Sequence, residues 1–145
     1  WIHSVKKHDG ELTVWRRRFS PTPTADMAAT ILAVARQVDC DANVWGTYHY
    51  SGLEIKKEIE FARQTLKYAA NHDEEMYQLL DSTKIRENLP RLPELPNSTL
   101  SSKKIFDTFG IKQKSWHGDL QETVKSLYVD RMRNIDDKPS ESSAL

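Results

Sequence analysis

The sequence predicts a mixed α/β fold, a few short strands with about four helices, and three observations carry that reading. Apolar residues recur at helical spacing in separate windows, Met27, Ile31, Val34 and Val38 in one and Ile55, Ile59, Ala62, Leu66 and Ala69 in another. Two short runs, Leu12-Thr13-Val14-Trp15 and the aromatic-rich Gly46-Thr47-Tyr48-His49-Tyr50-Ser51-Gly52, have strand composition. Prolines 90, 93 and 96 forbid regular structure in the stretch they occupy. Two strands are too few for an independent sheet, so they are expected to extend a sheet supplied by other polypeptide.

Taken in order, Trp1, Ile2 and Val5 fall at helical spacing behind a first residue that is not methionine. The chain is therefore expected to be a piece of something longer, opening partway through a helix whose apolar turn has a partner surface. Asp9-Gly10 signals a turn, and the strand Leu12–Trp15 runs into Arg16-Arg17-Arg18. In Ser20-Pro21-Thr22-Pro23-Thr24-Ala25-Asp26, Thr22 can cap a helix, Pro23 suits its first position and Asp26 its first turn. That helix is expected to bury one stripe from Met27 to Val38 and to end between Asp39 and Asn43.

The tyrosine-rich run follows as a strand, with Tyr48 and Tyr50 on one face and His49 on the other. Two readings stay open there: the phenols cover a ligand, or they pack in a half-buried sheet with their hydroxyls bonded. The next helix runs through about residue 70 and is broken by Asn71-His72-Asp73-Glu74-Glu75; Tyr77 to Leu80 reads equally as strand or helix. Beyond it the prolines imply an extended surface loop. Ser101 or Ser102 caps a short helix carrying Ile105, Phe106 and Phe109, and Gly110 ends it in the left-handed conformation. Ser115 opens a last helix with Leu120, Val124, Leu127 and Tyr128 as its stripe, and the polar tail from Asp136, residues 136–145, is expected to be disordered. No internal repeat is present.

At 145 residues the chain is long enough for one domain with a real core. Lys and Arg number 21 and so do Asp and Glu, so no global field favours nucleic acid, anionic lipid or an acidic substrate. No apolar run approaches the roughly 18 residues a membrane helix needs. The single Cys40 excludes an internal disulfide, and without an apolar signal segment the chain reads as soluble and cytoplasmic. There is no Gly-x-Gly-x-x-Gly, no Gly-Lys-Ser/Thr loop and no metal-spaced cluster, so neither a cofactor nor a metal site is expected here. His3, His8, His49, His72 and His117 are scattered and read as surface or satisfied histidines. Arg16-Arg17-Arg18 fits either a phosphate grip or a solvated patch.

The order of these pieces resembles the C-terminal half of the dTDP-4-dehydrorhamnose reductase family, extended short-chain dehydrogenase/reductases acting on nucleotide sugars. Phe19-Ser20-Pro21-Thr22-Pro23-Thr24-Ala25-Asp26-Met27-Ala28 resembles the family's Ser-Pro-Thr-x-x-x-Asp-Leu-Ala helix start, and Gly46-Thr47-Tyr48-His49 its Gly-x-Tyr-His strand. Glu60-Phe61-Ala62 is similar to the following helix. Asn97-Ser98-Thr99-Leu100 with Lys104, Phe109-Gly110 and Trp116 resembles later landmarks, so that the likeness spans about residues 1 to 130. Three places differ: Glu94-Leu95-Pro96 stand where Arg-Pro is usual, Lys57-Glu58 where Ser-Trp is common, and Arg16-Arg17-Arg18 where an acidic-Gln stretch is common.

What the resemblance implies is a two-part enzyme in which an N-terminal Rossmann half binds NADPH and carries a Tyr-x-x-x-Lys pair, while the C-terminal half closes over the substrate. Tyr48, Tyr50, Tyr68, Tyr77 and Tyr128 are followed four residues on by Gly52, Glu54, His72, Asp81 and Met132, so that pair is absent. This chain, residues 1–135, is expected to be the substrate-binding portion lacking the Rossmann half, with no catalytic residue and no turnover alone. The reaction implied is reduction of dTDP-4-dehydrorhamnose. Candidate substrate-binding residues are Arg17, Arg18, Ser20, Thr22, Tyr48 and Tyr50, because arginines, loop hydroxyls and a helix N-terminus converge near the loop; the competing reading has Thr22 simply capping the helix. Expected partners are the nucleotide sugar, the missing Rossmann half and a second copy in a homodimer, with no nucleic acid and no membrane. Two alternatives remain: a non-catalytic reductase-like regulatory subunit, and an epimerase or dehydratase of the same superfamily.

Overall fold

A computed structural model describes residues 1–40, 42–90 and 95–136. Helix α1 (Ile2–Lys7) turns through Asp9 and Gly10, both at positive φ, into strand β1 (Glu11–Trp15). Along β1 the period-two pattern puts Leu12 and Val14 inside and Glu11 and Thr13 outside. Strand β2 (Arg18–Phe19) then leads to helix α2 (Thr24–Val38), and a 3-10 turn (Ala42–Val44) follows. Strand β3 (Lys56–Lys57) runs directly into helix α3 (Glu58–Ala70), which is followed by helix α4 (Glu74–Leu80) and strand β4 (Lys84–Asn88). Helices α5 (Lys103–Phe109) and α6 (His117–Asp136) complete the described residues.

The fold is mixed α/β, with six helices and four short strands among the described residues. β1 pairs in parallel with β4, Leu12 opposite Ile85, and β2 pairs antiparallel with β3. β1 thus finds a partner inside the chain. The larger core gathers Val5 of α1, Leu12 and Val14 of β1, Leu66 of α3, Met76 of α4 and Val124 of α6. A second cluster joins Tyr50 to Ile105 and Phe109 of α5, with Val34 and Val38 of α2 packed against it. Among the described residues no helix is long and apolar enough to cross a membrane.

Several expectations are corrected. Residues 47–52 form no strand; they lie outside any ladder, so Tyr48 and Tyr50 share no strand face. The segment is held by side chains instead, as the site below shows. Residues 77–80 belong to a helix, α4, capped by the Asp73 carboxylate on the Met76 amide. Strand β4 was not foreseen, because only Ile85 in Lys-Ile-Arg-Glu-Asn is even half-buried. Helix α2 begins at Thr24 with Pro23 at its N-cap and no side-chain cap, so Thr22 does not cap it. Its apolar stripe is not buried either: Ile31 is 60% exposed, while Asp26 and Thr30 are the buried residues of that helix. Asp26 goes inside because a cation meets it there. Gly110, at φ 69, closes α5 as expected. Pro93 and Glu94 lie outside the described residues, as does the polar tail beyond Asp136, the last residue of α6.

Candidate functional site

The Ser51-Gly52 corner organises the site by pinning three distant segments. The Gly52 amide donates to the Thr22 hydroxyl at 3.0 Å, and that hydroxyl donates to the Ser20 carbonyl at 3.0 Å. The Gln113 side-chain amide donates to the carbonyls of both Ser51 and Gly52 at 3.0 Å. The Ser51 amide donates to the Ser102 hydroxyl at 3.1 Å, and the Leu53 amide to the Lys114 carbonyl at 3.0 Å. Backbone approach is so close that a Cβ at Gly52 would lie 1.9 Å from the Pro21 carbonyl oxygen. The loop before α2 is therefore tied to Gly52, 30 positions away, which is itself tied to Gln113, 61 positions further on.

That loop forms one wall of a cleft of about 540 Å³. Ser20, Thr22 and Thr24 contribute hydroxyls, and Pro23, Thr24 and Ala25 bring the start of α2 to its surface. With no side-chain cap, the first-turn amides of α2 have no partner within the helix. The facing wall is aromatic: Phe61 stands edge-on to Phe19 at 5.4 Å and to Trp116 at 5.1 Å between ring centres. Asp119, Leu120 and Thr123 of α6 complete it. Behind the first turn, buried Asp26 accepts from the Lys114 ammonium at 2.7 Å. This bond, more than the accompanying charge attraction, holds the Lys114 ammonium above its ordinary 10.5.

The six residues singled out from the sequence do not converge. Ser20 and Thr22 line the cleft, although the Thr22 hydroxyl is already committed. Arg17 forms an ion pair with Glu58, whose side chain is 5% exposed. Arg18 is exposed, and its backbone bridges the Pro96 carbonyl and the Ser98 amide. Tyr48 and Tyr50 line a separate apolar cavity of about 690 Å³ with Met27, Ile31, Val34 and Trp45. There the Tyr48 hydroxyl donates to the Val44 carbonyl at 2.7 Å, its ring meets Phe109 edge-on, and the Lys104 ammonium lies 4.5 Å from the ring centre. The reading in which the tyrosines pack with a bonded hydroxyl therefore describes Tyr48 without a sheet. Sequence reasoning did not place Phe61, Trp116 or Asp119 in a site; spacing within one sequence does not show that α6 faces the loop before α2.

The described residues carry no Gly-rich dinucleotide fingerprint. β1 runs into Arg16-Arg17-Arg18 rather than a Gly-rich turn, and α2 is entered through two prolines. Among the described residues no His, Cys, Asp and Glu cluster has the makings of a metal site. The described residues form a mixed α/β module with a hydroxyl- and aromatic-lined cleft. The family model described as RmlD substrate binding domain matches residues 2–129, and the chain belongs to that family, the substrate-binding part of dTDP-4-dehydrorhamnose reductase and its relatives. It is thereby tied to sugar-nucleotide reductases. No curated protein matches the chain.

Proposed function

We propose that this chain is the substrate-binding portion of an NADPH-dependent reductase that converts dTDP-4-dehydrorhamnose to dTDP-rhamnose, the cofactor and the catalytic Tyr-x-x-x-Lys pair residing on a Rossmann half outside residues 1–145. Its own contribution is to bind and position the nucleotide sugar. The observation that carries this reading is the cleft beside α2: free helix-start amides and loop hydroxyls for oxygen-rich groups face an aromatic wall, in a chain belonging to a sugar-nucleotide family. Arg17 is held by Glu58, whereas Arg16 and Arg18 are exposed and without a side-chain partner among the described residues; Arg18, next to Phe19 of the cleft in sequence, is the one tested as a phosphate ligand.

The test uses the full-length protein. Titration with dTDP-rhamnose should show the Arg18→Ala and Ser20→Ala variants binding about 5- to 10-fold more weakly than wild type. Unchanged affinity in both removes the loop from the site. Stoichiometric consumption of NADPH with dTDP-4-dehydrorhamnose identifies the reductase, whereas turnover with the cofactor recycled identifies an epimerase. The regulatory-subunit reading draws on one observation, that Lys57-Glu58 departs from the common Ser-Trp and spends Glu58 on an internal ion pair; it predicts sugar-nucleotide binding without turnover.

A further inference from the structure

Gln113 and Lys114, consecutive residues in the link between α5 and α6, hold the loop before α2 from both ends. The Gln113 side-chain amide has two N–H groups, and two carbonyls face it, those of Ser51 and Gly52, each at 3.0 Å. Neither carbonyl has another partner among the described residues, and Ser51 is only 5% exposed. The corner that Gln113 grips lies in no ladder or helix, so side chains and distant backbone hold it. Its amides go to the Ser102 hydroxyl, the Thr22 hydroxyl and, from Leu53, the Lys114 carbonyl. Gly52 rests against Pro21 with no room for a Cβ, so a displacement of the corner passes to Pro21 and Thr22 without slack. At the other end Lys114 bonds Asp26 at 2.7 Å, and the second oxygen of that buried carboxylate has no hydrogen-bond partner among the described residues.

Gln113 is not part of the cleft wall, whose loop side is Ser20, Thr22 and Thr24. Whatever it does to a ligand there, it does through Ser51, Gly52 and Thr22. Without its two donors both carbonyls are stranded, and a stranded carbonyl is costly enough to turn the corner toward water. The loop would then turn with it. We infer that Gln113 is a positioning residue: its amide keeps the loop before α2 in the arrangement that binds, so the affinity of the cleft depends on two hydrogen bonds made outside it. A loop that holds its binding arrangement only part of the time binds more weakly in proportion to that fraction. The inference rests on the reading of this chain as a nucleotide-sugar binder and adds to it a residue that touches no ligand.

The experiment titrates dTDP-rhamnose and, separately, NADPH onto the full-length protein. Gln113→Met keeps the length of the side chain and deletes both donors; Gln113→Lys gives up the shape of the amide and keeps a donor. Gln113→Met should bind dTDP-rhamnose about 3- to 10-fold more weakly and NADPH as wild type does, and Gln113→Lys should recover most of the loss. No loss on dTDP-rhamnose, an equal loss on both ligands, or a loss that Gln113→Lys leaves unrepaired overturns the assignment. Gln113→Asn, an uncharged amide one methylene short of the two carbonyls, reports even where Gln113→Met fails to fold. It should also bind dTDP-rhamnose more weakly, and binding at wild-type strength overturns the assignment. Should wild type bind no dTDP-rhamnose, the nucleotide-sugar reading fails separately, and the positioning role is read from the Gly52 amide resonance. Movement in Gln113→Asn with return in Gln113→Lys upholds it; any other pattern overturns it.

Discussion

At Gly52 an added methyl would strike the Pro21 carbonyl oxygen, a backbone atom in the loop that enters α2, and neither partner can rotate away. Gly52→Ala is therefore expected to cost about 3 kcal/mol, measured as a fall in the urea midpoint at unchanged slope. Gly110→Ala meets no atom within 4 Å and should lose only about 1 kcal/mol, from its left-handed backbone. Arg17 and Glu58 give a second contrast. Breaking a fully buried pair costs about 3–5 kcal/mol, but Arg17 is 38% exposed, so Arg17→Met should cost about 2 kcal/mol. Adding Glu58→Leu should restore most of it, because the stranded carboxylate is the larger part of the loss. A neutral single variant would show that the pair contributes nothing. The two neighbouring arginines are alike in sequence; only the fold shows that one of them is spent on structure.

Among the elements, α4 depends on Asp73, which caps the Met76 amide and forms an ion pair with Lys6 of α1 at 2.6 Å. Burial alone would raise the Asp73 carboxyl, but the bonds from Lys6 and the Met76 amide outweigh it and hold the group below its ordinary 3.8. Its stabilising effect is therefore present above pH 3.8 and disappears as pH falls through the lower folded value. Lys6 mirrors this. Its burial works to lower it, yet Asp73 and Glu75 raise it above 10.5, so its contribution persists at neutral pH and is lost only as pH rises beyond that. Unfolding free energies of wild type and Asp73→Asn, separate at neutral pH, should converge in acid; parallel curves would deny the charge its role. Elements with strong local signals were legible in the sequence: β1 by its strand composition after a turn, α2, α3, α5 and α6 by helical spacing, and the end of α5 by its glycine. β4 was not, since a polar strand paired with distant β1 leaves little local trace. The tyrosine-rich run misled for the opposite reason: its strand propensity is real, but tertiary hydrogen bonds took the backbone elsewhere.

At the scale of the whole molecule, several exposed apolar side chains line two cavities that share Leu100. Ile31 and Trp45 line the one beside Tyr48 and Tyr50; Leu53, Ile55 and Phe106 line another of about 580 Å³, and Leu100 belongs to both. Exposed apolar surface of this kind favours association. The chain of residues 1–145 should therefore sediment with a concentration-dependent coefficient, and Ile31→Glu with Trp45→Glu should shift it toward monomer. An unaltered profile would mean this surface is not what associates. Helical periodicity reported which residues of α2 share a stripe but not whether anything covers them, because coverage depends on elements remote in sequence. The cleft was half legible for the same reason, its loop side from turn and hydroxyl chemistry and its α6 side not at all.

The parallel pairing of β1 with β4 also sets a timetable for synthesis. Glu11 through Trp15 leave the ribosome before Lys84 through Asn88 and have no partner until these follow. Through that interval the nascent chain carries Leu12 and Val14 without their sheet, making this the window in which chaperones have most to hold.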